Sequence, residues 1–399
     1  MGKAKMLTGN YAAAYGALRA RVEVVPVYPI TPQTHIMEKM AEFTTTGQLD
    51  AEFISVESEH TAMAVAIASQ AAGARSFTAS SSQGILYMHE NLFVASGMRL
   101  PIVMVMVNRS YGSPNTIFSD LGDSLDQRDT GWIQLYVENA QEAHDMVVQA
   151  YKIGEDKRVL LPVAVCFEGI IISHYMEPVE ILDQTKVDQF LPSYQPDHVI
   201  LDPDRPMAAG LVVMDDLYYT EYRYQQQVAM DNAKEVIKEV DQSFGQIFGR
   251  HYGGLLQAEM MEDAQLAIIT LGSLASTARA VVKYLRQEKK IPIGLVKLRS
   301  IRPFPDQELR ECVAGLKIVA VLEKAVSVGA GGIIYTELTR SLSGLQDQQP
   351  RLINYILGLG GRDITFEDLN DIGLDLYATK DVAQITDPIR WFKLRNGDK

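Results

Sequence analysis

The chain has 399 residues, of which 47% are apolar, 22% charged and 8% aromatic. These proportions are ordinary for folded proteins and exclude extensive disorder, a collagen-like chain and a disulfide scaffold. With 37 basic and 50 acidic residues the net charge is −13, which counts against a nucleic-acid partner because phosphates need cationic contacts. No run of 18 apolar residues predicts a membrane span.

The cysteine content predicts no metal site in this chain. Cys166 and Cys312 lie far apart in apolar runs, and we expect both to be reduced thiols in a cytoplasmic protein. Two thiolates cannot hold an iron–sulfur cluster, which needs four, and no Cys/His spacing is typical of zinc. The first residues lack the apolar core of a signal peptide.

Residues 1–172 alternate between strand-like and helix-like patterns. The predicted strands are Val22–Val27, Phe53–Val56, Ser76–Ser80, Pro101–Val107 and Leu160–Phe167. A helix is predicted at Thr61–Ala72. The run Pro101–Val107 is apolar on both faces, which is typical of a central strand in a parallel sheet. Strands separated by helices imply right-handed crossovers, so we predict a doubly wound parallel sheet in an α/β domain.

Residues 173–260 interrupt this rhythm. An extended connection is predicted from Pro178, Pro192, Pro196, Pro203 and Pro206. The charged, periodic run Tyr222–Phe248 predicts one long amphipathic helix. Its apolar stripe consists of Val228, Ala233, Val236, Ile237 and Val240.

Residues 261–399 predict a second, smaller α/β domain, whose size is usual for a single domain. Its predicted strands are Leu266–Leu271, Ile293–Leu298, Ile318–Leu322 and Arg351–Leu357. Its predicted helices are Ser276–Gln287, Asp306–Val313 and Gly332–Leu342.

Four unusual segments follow predicted strands of the first domain. They are Tyr28–Gln33, Glu57–His60, Ser80–Gly84 and Asn108–Pro114. Open parallel sheets bind ligands beyond the carboxyl ends of their strands. We therefore expect these segments to converge on one edge of the sheet.

The acidic segment Glu57–His60 opens a helix and has two interpretations. Ser58 can act as the N-cap, with acids favoured near the positive helix end. Alternatively, a partly buried glutamate at the end of a central strand can share a proton with a ligand nitrogen.

Arg109 ends the most apolar strand. Its planar guanidinium is suited to bind a carboxylate or phosphate, and the alternative is a surface salt bridge. The polar, turn-rich residues that follow it predict a mobile loop over a site.

Two further turns have open alternatives. Thr31, between Pro29 and Pro32, presents a hydroxyl and an amide to a ligand, or caps a helix that begins at Pro32; the two roles are compatible. The segment Ser80–Gly84 either holds an anion at a helix N-terminus or forms a tight turn, and Gly329–Gly332 lacks the full dinucleotide-binding pattern.

Taken together, these segments closely resemble the α subunit of 2-oxoacid:ferredoxin oxidoreductases, of which pyruvate:ferredoxin oxidoreductase is the best-known member. In the first domain the resemblance lies in Tyr28-Pro29-Ile30-Thr31-Pro32, Val56-Glu57-Ser58-Glu59-His60, Ser81-Ser82-Gln83-Gly84, Gly97-Met98-Arg99-Leu100-Pro101 and Gln127-Arg128-Asp129-Thr130-Gly131-Trp132. In the second it lies in Arg302-Pro303-Phe304-Pro305 and Val321-Leu322-Glu323. It extends over nearly the whole chain.

The resemblance implies a thiamine-diphosphate enzyme, with a pyrimidine-binding first domain and a second domain like the C-terminal domain of transketolase. Glu59, rather than Glu57, matches the glutamate that hydrogen-bonds N1′ of the aminopyrimidine. That bond lets the 4′-amino group act as the base for the C2 proton. Further implied cofactor contacts are Tyr28, Ile30, Ser82 and Gln83. Implied ligands of the 2-oxoacid carboxylate are Thr31 and Arg109.

The resemblance also implies partner chains. Electrons from decarboxylation pass through iron–sulfur clusters to ferredoxin or another acceptor, and coenzyme A takes the acyl group. The sequence contains no Gly-Asp-Gly segment followed by the Asn of a diphosphate–Mg²⁺ site, and no cysteine cluster. We therefore expect a β subunit with the diphosphate–Mg²⁺ site, γ or δ subunits, or both, with the clusters, and no activity from this chain alone.

Pyruvate is the predicted substrate, with branched-chain acids, arylglyoxylates and oxalate as alternatives. Tyr87 would stack on an aromatic 2-oxoacid if it lines the pocket, and otherwise packs its helix. Thr31 favours an uncharged substituent, since a dianion such as oxalate needs further cations. A non-oxidative thiamine-dependent transferase half and a non-catalytic scaffold are the alternatives of a different class.

Overall fold

The computed structural model describes residues 4–196, 198–210, 212–213, 218–382 and 384–395. The strands in these ranges are β1 Lys5–Thr8, β2 Val24–Val27, β3 Glu52–Ser55, β4 Phe77–Ser80, β5 Val103–Asn108, β6 Ile133–Tyr136, β7 Val163–Glu168, β8 Met176–Val179, β9 Leu256–Glu259, β10 Leu266–Leu271, β11 Ile293–Leu298, β12 Ser300–Arg302, β13 Ile318–Glu323, β14 Arg351–Ile356 and β15 Ile389–Trp391. The α-helices are α1 Gly9–Arg19, α2 Thr34–Thr45, α3 Glu59–Ala71, α4 Ser82–Tyr87, α5 His89–Gly97, α6 Gly122–Leu125, α7 Ala140–Gly154, α8 Ile171–His174, α9 Gln184–Phe190, α10 Tyr219–Phe248, α11 Leu274–Lys289, α12 Asp306–Val313, α13 Ile333–Leu342 and α14 Phe366–Thr379. Short 3₁₀ helices lie at Ser343–Gln348 and Leu359–Gly361.

The predicted α/β class is confirmed, and the first sheet has the strand order β12-β6-β7-β5-β4. Strands β4, β5, β6 and β7 are parallel, and a bridge between Val24 and Ser76 links β4 to the parallel pair β2-β3. Every residue of β5 is buried. Its valines face one apolar cluster and Met104 and Met106 face another, as expected for a central strand covered on both faces.

The second sheet has the order β15-β14-β13-β10-β11-β9, and β9 is its antiparallel edge. The observed bounds of β10 and β11 are those predicted, and β13 and β14 differ from prediction by one residue at one end. Helices α11 and α14 pack against the same core cluster as β10 and β13. This arrangement is the smaller α/β unit that the alternating pattern predicts.

The connection between the sheets is more structured than predicted. Strand β8 pairs with β1 in an antiparallel ribbon, and helix α9 follows. The long helix α10 begins at Tyr219, three residues before the predicted start. Val228 is 38% exposed and lies outside the buried stripe of this helix, whereas Ala233, Val236, Ile237 and Val240 belong to it. Within the described ranges, no helix combines the length and apolar character that crossing a membrane requires.

The two sheets are joined by strand pairing and by buried charges. Strand β12, from the region predicted as the second domain, pairs with β6 of the first sheet. Glu142 of α7 is fully buried and accepts hydrogen bonds from Lys297 Nζ at 2.7 Å and Arg299 Nε at 3.0 Å. Burial raises the pKa of Glu142, but these two cations outweigh it and hold the pKa below the ordinary value. The boundaries at 172 and 260 stay a prediction, because hydrogen bonds cross between the units.

Candidate active site

The predicted convergence of strand ends is confirmed, because a hydrogen-bond network around Arg109 joins three of the four segments and Glu59 of the fourth lies against Gly84. This residue follows β5, and its Nη1 donates to the backbone oxygen of Thr31, after β2, at 2.7 Å. Its Nη2 donates to Gln83 Oε1, after β4, at 2.5 Å. Segments remote in sequence therefore meet because parallel strands end at the same edge of the sheet.

Glu59 is buried as the first residue of α3. The predicted cap is confirmed, because the backbone amide of Thr61 donates to Ser58 Oγ at 3.2 Å. A Cβ on Gly84 would lie 2.6 Å from Glu59 Oε1, so the absence of a side chain at Gly84 leaves room for this carboxylate. Among the described residues, no donor of the protein is hydrogen-bonded to the Glu59 carboxylate. A buried carboxylate with unused acceptor positions fits a ligand that carries a protonated ring nitrogen.

Arg109 is partly buried and has no direct ionic partner in the described part of the chain, so its interpretation as a surface salt bridge is wrong. Burial lowers the pKa of its guanidinium, while the negative charges of Asp123 and Glu59 act in the opposite direction. Its Nε is buried and has no hydrogen-bond partner. A guanidinium held by neutral acceptors keeps its positive charge available for an anion.

The turn that carries Thr31 is fixed by packing. Helix α2 begins at Thr34 after Gln33, so the predicted cap by Thr31 with Pro32 in the first turn is wrong. Asn10 Nδ2 donates to the backbone oxygen of Pro32 at 2.7 Å. A Cβ on Gly169 would lie 2.6 Å from Pro32 Cγ, so the chain after β7 also abuts this turn. Thr31 itself is exposed.

Tyr28 and Ile30 shape the same turn through their backbones. Gln33 Nε2 donates to the backbone oxygen of Tyr28 at 2.8 Å, and the Gln33 amide donates to that of Ile30 at 2.9 Å. Their contacts with a cofactor stay a prediction. Tyr87 is 59% exposed, and its ring centroid lies 5.7 Å from that of His60, so it neither packs into the core nor joins the Arg109 network.

The segment Ser80–Gly84 contains both the predicted turn and a helix start. Ser82 has φ +51° and begins the six-residue helix α4. Its backbone amide donates to Asp123 Oδ2 at 2.8 Å, so the anion at this helix start is the protein's own carboxylate. Its hydroxyl lies 2.7 Å from the backbone oxygen of Ser110. A cofactor contact of Ser82 or Gln83 stays a prediction.

Asp123 is a residue of this network that the sequence interpretation missed. It is fully buried in α6 and accepts hydrogen bonds at 2.7–3.0 Å from the Asn108 side chain and from the backbone amides of Ser82, Arg109 and Ser124. Burial raises its pKa to about 7, although the hydrogen bonds from Arg109, Asn108 and Ser82 act in the opposite direction. It belongs to no recognisable motif, so only the fold reveals that it joins the ends of β4 and β5.

The loop after Arg109 is bound to the second unit. The Gly361 amide donates to the backbone oxygen of Ser119, and the Leu121 amide to that of Lys324, both at 2.8 Å. Glu168 ends β7 beside Asn108, and its carboxylate accepts from the amide and hydroxyl of Ser273 at the start of α11. The second unit therefore holds the same sheet edge through hydrogen bonds of Gly361, Lys324 and Ser273.

Family models match both units. Residues 15–242 match the thiamine-diphosphate-binding model of pyruvate flavodoxin/ferredoxin oxidoreductase, and residues 264–369 match core domain II of pyruvate:ferredoxin oxidoreductase. Pyruvate synthase subunit PorA of Methanocaldococcus jannaschii is 46% identical over 374 residues, covering 93% of this chain and 94% of that protein. Ketoisovalerate oxidoreductase subunit VorA of Pyrococcus horikoshii is 44% identical over 391 residues, covering 98% of each chain.

Solved structures show the likeness of fold. A 2-oxoglutarate:ferredoxin oxidoreductase from Magnetococcus marinus superposes with a TM-score of 0.72 at 18% identity, covering 94% of this chain and 65% of that longer chain. A split gene transketolase superposes with a TM-score of 0.52 at 13% identity, covering 95% and 100%. The family matches and the identity to PorA and VorA show that this chain belongs to the pyruvate flavodoxin/ferredoxin oxidoreductase family, as a subunit of a 2-oxoacid:ferredoxin oxidoreductase.

Proposed function

We propose that this chain is the α subunit of a multi-subunit enzyme that oxidatively decarboxylates a 2-oxoacid, with pyruvate as the favoured substrate. The reaction is R–CO–COO⁻ + CoA–SH → R–CO–S–CoA + CO₂ + H⁺ + 2 electrons, and two one-electron ferredoxins take the electrons. The supporting observation is that two charged groups lie at the same sheet edge without an ionic bond to each other. Arg109 donates to neutral acceptors, and the buried Glu59 carboxylate has no donor among the described residues.

The residues around Glu59 fit the pyrimidine of thiamine diphosphate. Glu59 would hold a proton on the ring nitrogen, and Gly84 keeps side-chain atoms away from that carboxylate. When bound, thiamine diphosphate supplies the nucleophilic carbon and the electron sink that decarboxylation requires. Tyr28, Ile30 and the Ser82–Gln83 turn lie on the segments that would border it.

Arg109 and Thr31 would bind the substrate carboxylate. The guanidinium donates to neutral acceptors, so an incoming carboxylate does not have to displace an acidic side chain. Fixing the carboxylate orients the adjacent carbonyl, and orientation of this kind is a large part of catalysis in bimolecular reactions. Arg109 is the one cation in this network, which supports a monoanionic substrate such as pyruvate over a dianion.

We propose that partner chains complete the site. A β subunit would bind the diphosphate and Mg²⁺, γ or δ subunits, or both, would carry iron–sulfur clusters, and ferredoxin or another acceptor would take the electrons. The support is the sequence itself, with no Gly-Asp-Gly segment and only two cysteines, both free. Coenzyme A is supported by the related fold of an enzyme solved with coenzyme A bound. The free thiols also support a cytoplasmic location.

A branched-chain 2-oxoacid is the second candidate substrate. VorA, named as a ketoisovalerate oxidoreductase subunit, is 44% identical to this chain, close to the 46% of PorA. These similar identities support both pyruvate, which has a methyl substituent, and 2-oxoisovalerate, which has an isopropyl substituent, as substrates. The exposed position of Tyr87 gives no support to an aromatic substrate.

The test is to co-express this chain with its partner chains and measure reduction of a viologen dye by the purified complex. Pyruvate, 2-oxoisovalerate, 2-oxoglutarate and phenylglyoxylate are compared, each with and without coenzyme A. We expect coenzyme A-dependent reduction with pyruvate or 2-oxoisovalerate, and none from this chain alone. Activity of the isolated chain, or a complex inactive with every 2-oxoacid, would contradict the proposal.

A further inference from the structure

The side chain of Gln83 lies at the centre of the network that orients Arg109. Its Oε1 accepts from Arg109 Nη2 at 2.5 Å and lies 2.5 Å from Ser82 Oγ. Its Nε2 donates to Asn115 Oδ1 at 2.6 Å. One amide therefore connects the turn after β4, the arginine after β5 and the loop that follows this arginine.

The contact with Gln83 fixes one end of a planar group whose other end is already fixed. Arg109 Nη1 is bound to the backbone oxygen of Thr31, which side-chain chemistry cannot change. Rotation of the guanidinium plane about the Cδ–Nε bond is therefore resisted by two contacts, of which only the one with Gln83 depends on a side chain. Because the Gln83 amide oxygen is neutral, it orients the Arg109 guanidinium without neutralising the positive charge.

The contact with Asn115 fixes the Gln83 amide in turn. A side-chain amide can rotate so that its oxygen and nitrogen exchange places. A neighbouring hydrogen-bond acceptor favours the orientation in which the amide nitrogen points toward it. Asn115 Oδ1 accepts from Gln83 Nε2, which leaves Gln83 Oε1 directed at Arg109. Asn115 lies in the same loop as Ser119, which is bound to the Gly361 amide of the second unit.

We propose that Gln83 is a positioning residue for substrate recognition, and that Asn115 fixes its orientation. Gln83 holds the Arg109 guanidinium in the plane that receives a 2-oxoacid carboxylate, rather than binding the cofactor itself. This inference rests on the proposed function, because it takes Arg109 as the carboxylate ligand. A neutral acceptor at this position is what allows a substrate anion to compete for the guanidinium.

The test is the variant Gln83→Glu in the assembled complex, compared with Gln48→Glu, which adds the same charge at an exposed position before β3, whereas the site lies beyond the carboxyl ends of the strands. The new carboxylate would pair with Arg109 and exclude the substrate carboxylate. We expect KM for pyruvate to rise about tenfold or more, the effect of one charge-assisted hydrogen bond. We expect kcat and the dissociation constant of thiamine diphosphate, measured by fluorescence quenching, to change less than about twofold.

A further variant tests the role of Asn115. Asn115→Leu removes the acceptor for Gln83 Nε2 and should raise KM. Gln83→Met removes the acceptor for Arg109 without adding charge and should also raise KM, though less than Gln83→Glu.

Two results would overturn this inference alone, given an active wild-type complex. One is weakened thiamine diphosphate binding by Gln83→Glu with KM unchanged, which would make Gln83 a cofactor ligand. The other is a Gln83→Glu variant that matches Gln48→Glu in KM and in cofactor binding. A wild-type complex with no 2-oxoacid-dependent activity would instead overturn the proposed function and this inference together.

Discussion

Gly84 lies so close to Glu59 that a side chain on Gly84 is incompatible with the present position of the carboxylate. A Cβ built on Gly84 would lie 2.6 Å from Glu59 Oε1 and 2.5 Å from Ser80 Oγ. The small turn after β4 therefore provides the space that the carboxylate of the first residue of α3 occupies.

Gly84→Ala should impair the site while preserving the fold. The added methyl group must push the Glu59 carboxylate aside, and overpacking of this kind costs about 1–3 kcal/mol. We expect kcat/KM of the assembled complex to fall about tenfold or more, with weaker thiamine diphosphate binding. Gly97→Ala is the matched control, because Gly97 lies at the end of helix α5 with nothing within 4 Å of the added Cβ. Equal activity of the two variants would show that the close approach of Gly84 to the Glu59 carboxylate is unimportant for catalysis.

Asp123 should make stability depend on pH in a defined direction. Burial holds its pKa near 7 in the folded chain, against an ordinary value of 3.8. Between these two pH values the folded chain therefore binds more protons at Asp123 than the unfolded chain does. The contribution of this proton to the free energy of unfolding is full below the unfolded pKa and is lost as pH rises through about 7. Relative to Asp123→Asn, the wild-type free energy of unfolding should fall with pH by up to about 1.4 kcal/mol per unit.

Urea unfolding of this chain between about pH 5 and about pH 7 measures that slope. Asp129→Asn is the control, since the Asp129 side chain is 71% exposed and should leave the wild-type slope unchanged. Parallel pH profiles for the wild type and Asp123→Asn would contradict the assignment of the titration to Asp123.

Gly361 should be a point at which the second unit controls the loop after Arg109. It has φ +79°, and a Cβ there would lie 2.3 Å from Phe118 Cβ. Gly361→Ala must therefore displace the Thr116–Ser119 segment, and we expect KM for the 2-oxoacid to rise about tenfold, because small misplacements at a site are costly.

Gly315→Ala separates this displacement from backbone strain. Gly315 has φ +80° with nothing within 4 Å, so the control has the same unfavourable backbone region without the clash. Steady-state kinetics of both variants in the assembled complex provide the comparison. If both raise KM equally, backbone strain rather than the loop contact is responsible.

The regular structure could be predicted where a segment has one clear period. Strands β10 and β11 and helix α12 have the predicted bounds because continuous apolar runs and charged flanks define them. The short strand β6, of only four residues, was missed. The β1–β8 ribbon was missed because its two strands are distant in sequence. The same is true of β12, which pairs with a strand of the other unit.

The site was predictable to the extent that its residues belong to motifs. Glu59, Thr31 and Arg109 follow strands, and their segments meet as expected, those of Glu59 and Arg109 through the turn that holds Gln83 and Gly84. The alternatives concerning Thr31 and Arg109 could not be decided from the sequence, because they depend on where α2 begins and on which acceptors surround a guanidinium. Asp123 was missed because its importance comes from four donors that only the fold assembles around it.

The most direct test of the catalytic assignment is hydrogen–deuterium exchange at C2 of thiamine diphosphate bound to the assembled complex, with and without Glu59→Gln. Loss of a positioned acid–base group reduces such proton transfers by about 10²–10⁴-fold. We expect exchange in the variant to slow by at least the lower figure, with the subunits still assembled by size-exclusion chromatography. An assembled Glu59→Gln complex that exchanges the C2 proton at the wild-type rate would show that Glu59 only begins a helix.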